Sequence, residues 1–272
     1  MQKQKSFIDF ICVGPQRTCS SWLDSALREH PSISLPTDVK ETFFFDKKYE
    51  SGLQWYKKNF KNQADDDIAG EIGPTYFESS EIAKRILSDL GHIKILVLMR
   101  NPVERTYSLF RHESSKGRCS DKFEDAIREN PRIPDSGRYS DLIPMWEKVF
   151  GEEKIILLFE EDISTDAKAV LRALEDSLNI PHHNWTDTVL QPHGQWHKPR
   201  IKCLHVFASR CVSFLRSHGF HKIVNVGKNV GLNKLNRDRT DREIPASVRT
   251  QLLEVHKDDL LYIKQKYNRS YS

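Results

Sequence analysis

The residues best suited to binding an anion lie between positions 14 and 22, in the segment Gly-Pro-Gln-Arg-Thr-Cys-Ser-Ser-Trp. A short apolar run precedes this segment and a helical pattern follows it. The segment therefore joins a strand to the start of a helix, where free N–H groups attract anions. Arg17 contributes a cation. Hydroxyl groups come from three neighbouring side chains, Thr18, Ser20 and Ser21. This combination predicts a cradle for one phosphate group.

The same segment differs from the Walker A loop, Gly-x4-Gly-Lys-Ser/Thr, that holds nucleoside triphosphates. Gly14 and Ser21 fall in register with that pattern, but Cys19 replaces its second Gly and Ser20 replaces its Lys. The missing Lys argues against triphosphate turnover. An ordinary strand-to-helix turn remains the alternative.

A second anion-binding pattern begins at Arg100, directly after the most apolar run in the chain. Ser108 follows eight residues later, about two helical turns into the next predicted helix. A guanidinium fork and a hydroxyl at this spacing can surround one phosphate. The alternative is an Arg that pairs with a surface carboxylate, but two anion-binding patterns at two strand ends are hard to obtain by chance.

The elements that must position these residues alternate between strand and helix. Buried strands are predicted at 7–13, 93–99 and 154–159, each a short and mostly apolar run. Helical spacing of apolar residues predicts helices over 20–30, 82–90, 167–178 and 246–267. This alternation predicts an α/β fold with a central, mostly parallel sheet flanked by helices. No linker or repeat divides the chain, so residues 1–272 are expected to form a single domain.

These motifs resemble those of the sulfotransferase family with a P-loop-like fold. The family transfers a sulfuryl group from 3′-phosphoadenosine 5′-phosphosulfate (PAPS) and releases 3′,5′-bisphosphoadenosine (PAP). The resemblance implies that Arg17 lies at the bridging oxygen of the donor and that Arg100 and Ser108 bind the 3′-phosphate. It assigns the remainder of the 5′-phosphosulfate loop to Thr18, Cys19, Ser20, Ser21 and Trp22, the last packing on adenine. Cys19 stands where the family usually has Gly.

Three further segments are similar to the heparan-sulfate-type branch of the family. They are Lys-Glu-Thr-Phe-Phe-Phe at 40–45, Gly-Leu-Gln-Trp-Tyr at 52–56 and Glu-Ile-Gly-Pro-Thr-Tyr-Phe at 71–77. The resemblance makes Glu41 the catalytic base, and its three aromatic neighbours are expected to desolvate it. Ile72 stands where that branch carries Lys. His112 is an alternative base because it lies one turn beyond Ser108, and His193 and His197 are further alternatives.

A basic cluster occupies 196–200, in the least regular part of the sequence. Lys198 and Arg200 loosely resemble the basic loop that closes over the 3′-phosphate in the family. A solvated basic loop is an equally good interpretation of this cluster.

Composition narrows the function further. A net charge of +4 in 272 residues is too small for a dedicated nucleic-acid binder. The five cysteines form no Cys-x-x-Cys pair, so neither a disulfide framework nor a metal site is expected. No apolar run is long enough to span a membrane, which favours a cytoplasmic location.

The sequence therefore predicts a PAPS-dependent enzyme whose acceptor is a hydroxyl or amine on a small molecule, with a bacterial natural product as one example. Two alternatives stay open: a P-loop-type nucleotide kinase, and an adenine-nucleotide-binding regulator without catalysis. The oligomeric state stays open as well.

Overall fold

The structure is a computed structural model, and it describes residues 6–60, 67–191 and 243–271. Its centre is a five-stranded sheet in which every neighbouring pair of strands is parallel, in the order β2-β3-β1-β4-β5. The strands are β1 (Phe10–Gly14), β2 (Ile33–Ser34), β3 (Ile68–Ile72), β4 (Lys94–Met99) and β5 (Ile155–Phe159).

Helices connect the strands. Up to the end of β4 they are α1 (Ser20–Glu29), α2 (Phe44–Lys47), α3 (Leu53–Lys57) and α4 (Ser80–Leu90). Between β4 and β5 they are α5 (Pro102–Ser115), α6 (Phe123–Glu129), α7 (Arg132–Asp135) and α8 (Tyr139–Phe150). The described residues after β5 form α9 (Glu160–Leu178), α10 (Asp187–Leu190), α11 (Ala246–Val255) and α12 (Lys257–Tyr267).

The two central strands are apolar on both faces because helices cover both sides of the sheet. Along β1, Phe10 and Cys12 point into one core cluster, whereas Ile11 and Val13 point into the other. This alternation follows from the two-residue period of a strand. Helices α1 and α9 complete the first cluster, and α4 and α8 complete the second. The predicted α/β class with a mostly parallel sheet is confirmed.

The strongest sequence patterns predicted their elements to within a few residues. The predicted strand at 93–99 is observed as β4, and the predicted helix at 82–90 is observed as α4. Ser79 caps α4, since its hydroxyl accepts the Ile82 N–H at 3.3 Å. The predicted tail helix is two helices, α11 and α12, which meet at His256.

Strand β3 was missed because Gly70 and Glu71 interrupt its apolar pattern. The structure explains the glycine: a Cβ at position 70 would lie 2.1 Å from Cζ of Phe10. The ring of Phe10 therefore packs directly over the backbone of β3. The glycine of β3 is thus explained by Phe10 on the neighbouring strand β1, which the local sequence of β3 does not show.

The described residues fall into two compact units. The first contains the sheet and comprises 6–60, 67–102, 136–191 and 258–271; the second comprises 103–135 and 243–257. The second unit has its own small core, formed by Val103, Phe110, Phe123, Ala126, Ile133, Ile244, Val248 and Leu252. The single-domain organisation stays a prediction. Among the described residues, no helix has the length and apolarity needed to cross a membrane.

Candidate active site

The two predicted anion sites lie at the carboxyl ends of β1 and β4, which are neighbours at the centre of the sheet. The chain leaves β1 toward the β2 edge and leaves β4 toward the β5 edge, so a crevice is expected where these connections separate. Nη1 of Arg100 donates a hydrogen bond to the carbonyl oxygen of Arg17 at 3.2 Å. The two predicted sites are therefore in direct contact.

The loop after β1 has an unusual backbone that brings it close to the sheet. Gly14 has a φ of 106°, and a Cβ there would lie 2.5 Å from the carbonyl oxygen of Pro74, so only glycine fits. Arg17 and Cys19 also have positive φ, 71° and 62°. For residues with a Cβ this left-handed conformation is costly. The backbone of this loop is therefore strained at Arg17 and Cys19.

Helix α1 begins immediately after this loop. Its first hydrogen bonds run to the carbonyl of Cys19, from Trp22 N at 2.9 Å and from Leu23 N at 3.1 Å. The N–H groups of Ser20 and Ser21 precede these bonds and have no helical acceptor. They are therefore oriented to bind an anion, together with the positive end of the helix dipole.

Two of the predicted loop residues, Thr18 and Trp22, are buried and hydrogen-bond to backbone carbonyls of the protein. Thr18 is 1% exposed, and its hydroxyl donates to the Pro15 carbonyl at 2.6 Å, which stabilises the loop. Trp22 is 2% exposed in the core beneath the sheet, and its indole N–H donates to the Val189 carbonyl at 2.8 Å. A ring enclosed by the protein's own side chains has no face for adenine, so the adenine contact expected of Trp22 is not retained.

Lys40 is a site residue that sequence reasoning missed. Its Nζ lies 3.1 Å from Oγ of Ser21, at the start of α1, and 3.5 Å from Oε1 of Glu41. Lys40 thus adds a second cation beside the phosphate cradle. The only available signal was its place next to Glu41 in the Lys-Glu-Thr-Phe-Phe-Phe motif, because a separation of 19 residues from Ser21 predicts no contact.

Arg100 has a carboxylate partner that sequence reasoning also missed. Its Nε lies 2.8 Å from Oε2 of Glu160, the first residue of α9, and both side chains are about one quarter exposed. The pair joins the end of β4 to the end of β5. Glu160 therefore competes with any phosphate that binds this guanidinium.

Cys19 lies beside the same carboxylate. Burial, together with the charge and hydrogen bond of Glu160, raises the pKa of the Cys19 thiol. A thiol with a raised pKa stays protonated at neutral pH and is a poor nucleophile. The role of Cys19 is therefore to form the loop and not to carry a covalent intermediate.

The backbone of Cys19 leads to a stability prediction. Because its φ is 62°, glycine should be favoured over alanine at this position. We expect the Cys19→Gly variant to be more stable to unfolding than Cys19→Ala by about 1 kcal/mol. Urea denaturation of both variants measures this difference, and comparison with Ala removes the effect of losing the thiol. Equal stabilities would contradict the left-handed conformation.

Glu41 and Glu71 differ in their exposure to solvent, and Glu41, the carboxylate expected to be desolvated, is the more exposed of the two. Glu41 was expected to be desolvated by aromatics, but its side chain is 22% exposed and pairs with Lys40. Glu71 is fully buried, and burial raises its pKa even though hydrogen bonds from Thr42 and Tyr56 act in the opposite direction. The desolvated carboxylate of this region is therefore Glu71.

Two of the remaining predicted residues, Ser108 and His112, lie one turn apart on α5 within the second unit, where Nε2 of His112 is 3.9 Å from Oε1 of Glu113. Four further residues, Lys198, Arg200, His193 and His197, lie outside the described residues. In the part of the chain that the structure describes, no group of three or more His, Cys, Asp or Glu side chains is arranged to hold a metal ion.

Comparison with known families finds one match that covers most of the chain. The model of the family described as "Sulfotransferase domain" matches residues 7–196. These residues include the cradle, Lys40, Glu41, Arg100 and Glu160.

Two similar relatives are bifunctional heparan sulfate N-deacetylase/N-sulfotransferases. The first, from Caenorhabditis elegans, is 28% identical over 195 residues, which are 65% of this chain and 23% of the relative. The second, from Homo sapiens, is 27% identical over 202 residues, which are 66% of this chain and 23% of the relative. The chain thus spans about a quarter of the length of these relatives.

Solved structures show the same fold. A sulfotransferase from Alicyclobacillus acidocaldarius superposes with a TM-score of 0.57 at 22% identity, covering 67% of this chain and 87% of that one. A sulfotransferase domain from the curacin biosynthetic pathway superposes with a TM-score of 0.50 at 17% identity, covering 71% of this chain and 80% of that one.

Proposed function

Since the chain belongs to the sulfotransferase domain family, we propose that it transfers a sulfuryl group from PAPS to a hydroxyl or an amine. The observation that carries this proposal is the contact between Arg100 and the Arg17 carbonyl. A donor with phosphates at both 3′ and 5′ positions needs two anion sites within the span of one nucleotide. The ends of β1 and β4, which are neighbouring strands, offer one cation each.

Each residue then has a distinct task. Arg17, Lys40 and the N–H groups at the start of α1 hold the 5′-phosphosulfate and neutralise the phosphate that leaves. Arg100 holds the 3′-phosphate. The oxygen or nitrogen of the acceptor molecule forms the new bond to sulfur, and the bond from sulfur to the bridging oxygen breaks. Glu41 takes up the proton that the acceptor molecule loses. The products are the sulfated acceptor and PAP.

The acceptor is the open part of the proposal. The relatives named above are bifunctional heparan sulfate N-deacetylase/N-sulfotransferases, which supports an amine on a heparan-sulfate-type polymer as one acceptor to test. A small-molecule acceptor, a natural-product role and a cytoplasmic location stay predictions. A screen with PAPS should include an N-deacetylated heparan, small phenols and small amines.

Donor binding provides a test that needs no acceptor. In calorimetric titrations we expect PAP to bind at least about tenfold more tightly than ADP, since a charge-assisted contact to the 3′-phosphate contributes about 1.5–3 kcal/mol. Arg100→Ala should remove most of this preference by weakening PAP binding about 10- to 100-fold, while ADP binding changes far less.

Glu160→Gln is the matched control for Arg100→Ala. It removes the carboxylate partner but keeps the guanidinium, so PAP affinity should be retained or increased. Equal affinity of the wild-type protein for PAP and ADP would contradict PAPS as donor. Turnover of ATP in its place would favour the kinase alternative.

A further inference from the structure

Glu71 is the most deeply buried carboxylate beside the candidate site. It lies on β3, directly next to β1, and its register partner is Ile11. Its side chain is fully buried, at 0% exposure, and two of its neighbours, Tyr56 and Tyr76, belong to the aromatic core on this face of the sheet. Burying a carboxylate in such surroundings is costly unless hydrogen bonds compensate it.

Four hydrogen bonds provide that compensation. Oε1 accepts from the backbone N–H of Thr42 at 3.1 Å, from the Thr42 hydroxyl and from the Tyr76 hydroxyl at 3.1 Å. Oε2 accepts from the Tyr56 hydroxyl at 2.7 Å. Two of the four donors belong to Thr42. Glu71 is thus attached to the segment that carries Glu41.

Thr42 is in turn hydrogen-bonded to the first residue of α2. Its Oγ1 accepts the N–H of Phe44 at 3.1 Å, and Phe43 between them has a φ of 55°. Residues 40–43 belong to neither a helix nor a strand. The bonds from Glu71 to Thr42, and from Thr42 to Phe44, therefore determine the path of this segment from inside the core.

Lys40 and Glu41 directly precede Thr42. Nζ of Lys40 reaches Ser21 at the start of α1, and Glu41 pairs with Lys40. The position of the Glu41 carboxylate relative to the phosphate cradle thus depends on how Thr42 is held. We propose that Glu71 is a positioning residue, which fixes the Lys40–Glu41 pair beside the cradle through its hydrogen bonds to Thr42. This inference rests on the proposed function because it takes Glu41 as the base.

The expected effect is larger on the rate of transfer than on donor binding. A displacement of about 1 Å at a reacting group can lower a rate about 100-fold, so loss of the Glu71 bonds should lower kcat about 10- to 100-fold. Among the groups assigned to the donor, Lys40 depends on Thr42, whereas the cradle N–H groups and Arg17 do not, so the KM for PAPS should change by a smaller factor than kcat.

The test compares four variants. Glu71→Met removes both acceptor oxygens and retains a long side chain, whereas Glu71→Gln keeps one oxygen that can still accept from Thr42. Thr42→Val removes the hydroxyl partner, and with it the acceptor of the Phe44 N–H, but keeps the backbone N–H of Thr42. Tyr56→Phe is the matched control, because it removes a bond to the same carboxylate without touching Thr42. Release of PAP from PAPS, with water as acceptor, gives kcat and KM, and thermal melting monitors folding.

Positioning predicts a specific order of kcat among these variants. Glu71→Met and Thr42→Val should lose about 10- to 100-fold, Glu71→Gln should recover part of that loss, and Tyr56→Phe should stay within about twofold even though its melting temperature falls. A role limited to stability predicts losses that follow the melting temperature. Equal kcat for Thr42→Val and Tyr56→Phe would therefore overturn the proposal.

Crystal structures of Glu71→Met and Tyr56→Phe give a readout that requires no turnover. A shift of the Glu41 carboxylate by about 1 Å or more in Glu71→Met alone supports the proposal, and an unchanged position of that carboxylate in Glu71→Met overturns it. Failure of the wild-type protein to prefer PAP over ADP contradicts the proposed donor, not the positioning, which the two crystal structures still test.

Discussion

Replacement of Glu41 by Gln is expected to lower kcat for sulfuryl transfer about 10²- to 10⁴-fold, because a positioned general base contributes rate enhancement of this size. Donor affinity should stay within about twofold, since the change removes no cation from the cradle. The structural support is the place of Glu41 beside Lys40, whose Nζ contacts Ser21 at the start of α1. Titration with PAP measures affinity, and release of PAP from PAPS at saturating donor measures kcat.

Glu50→Gln is the matched control for Glu41→Gln. Glu50 is an exposed carboxylate in the short turn Tyr49–Ser51, so its loss changes net charge equally without reaching the cradle. His112→Ala tests the alternative base on α5. If His112→Ala lost the larger share of kcat and Glu41→Gln stayed near wild type, the assignment of the base would be wrong.

Replacement of Arg17 by Ala is the second change with a large expected effect. Arg17 is the cation of the loop between β1 and α1, and we expect its loss to lower kcat about 10²- to 10³-fold, the effect of removing one donor that stabilises developing charge. Affinity for PAP should fall by a smaller factor, because negative charge on the bridging oxygen increases toward the transition state. The same PAP titration and PAPS turnover assay separate the two effects.

Arg17→Lys is the control for charge. Lysine keeps the cation but loses the guanidinium fork, so we expect it to retain kcat to within about tenfold of wild type. Alanine and lysine meet the same backbone cost at the φ of 71°, so the loop strain is matched between the two variants. Equal losses for Ala and Lys would show that the fork, and not the charge, is what the reaction requires.

The fold could be predicted because its strongest signals are local. The run at 93–99 is apolar at nearly every position, which is typical of a strand covered on both faces, and it is observed as β4 (Lys94–Met99). The spacing of Ile82, Ile86 and Leu90 similarly predicted α4. The family could be predicted for the same reason, since its motifs at Arg17 and Arg100 each lie within one strand, loop and helix.

Other features lacked a local signal. Strand β3 was missed because Gly70 and Glu71 interrupt its apolar pattern. Gly70 packs against Phe10, and Glu71 accepts a hydrogen bond from Thr42. The family resemblance predicts an adenine contact for Trp22, yet its indole N–H donates to the carbonyl of Val189, 167 residues away. Lys40 and Glu160 were missed because their partners lie on other elements.

The sequence by itself determined the alternation of strands and helices, the family, and the two cations at the ends of β1 and β4. These features follow from hydrophobic periodicity and from motifs of a few residues. The tertiary structure alone decided that Glu71 and not Glu41 is the buried carboxylate, and that Glu160 pairs with Arg100. Burial and hydrogen bonding depend on which strands become neighbours, because a parallel sheet brings together residues that are far apart in the chain.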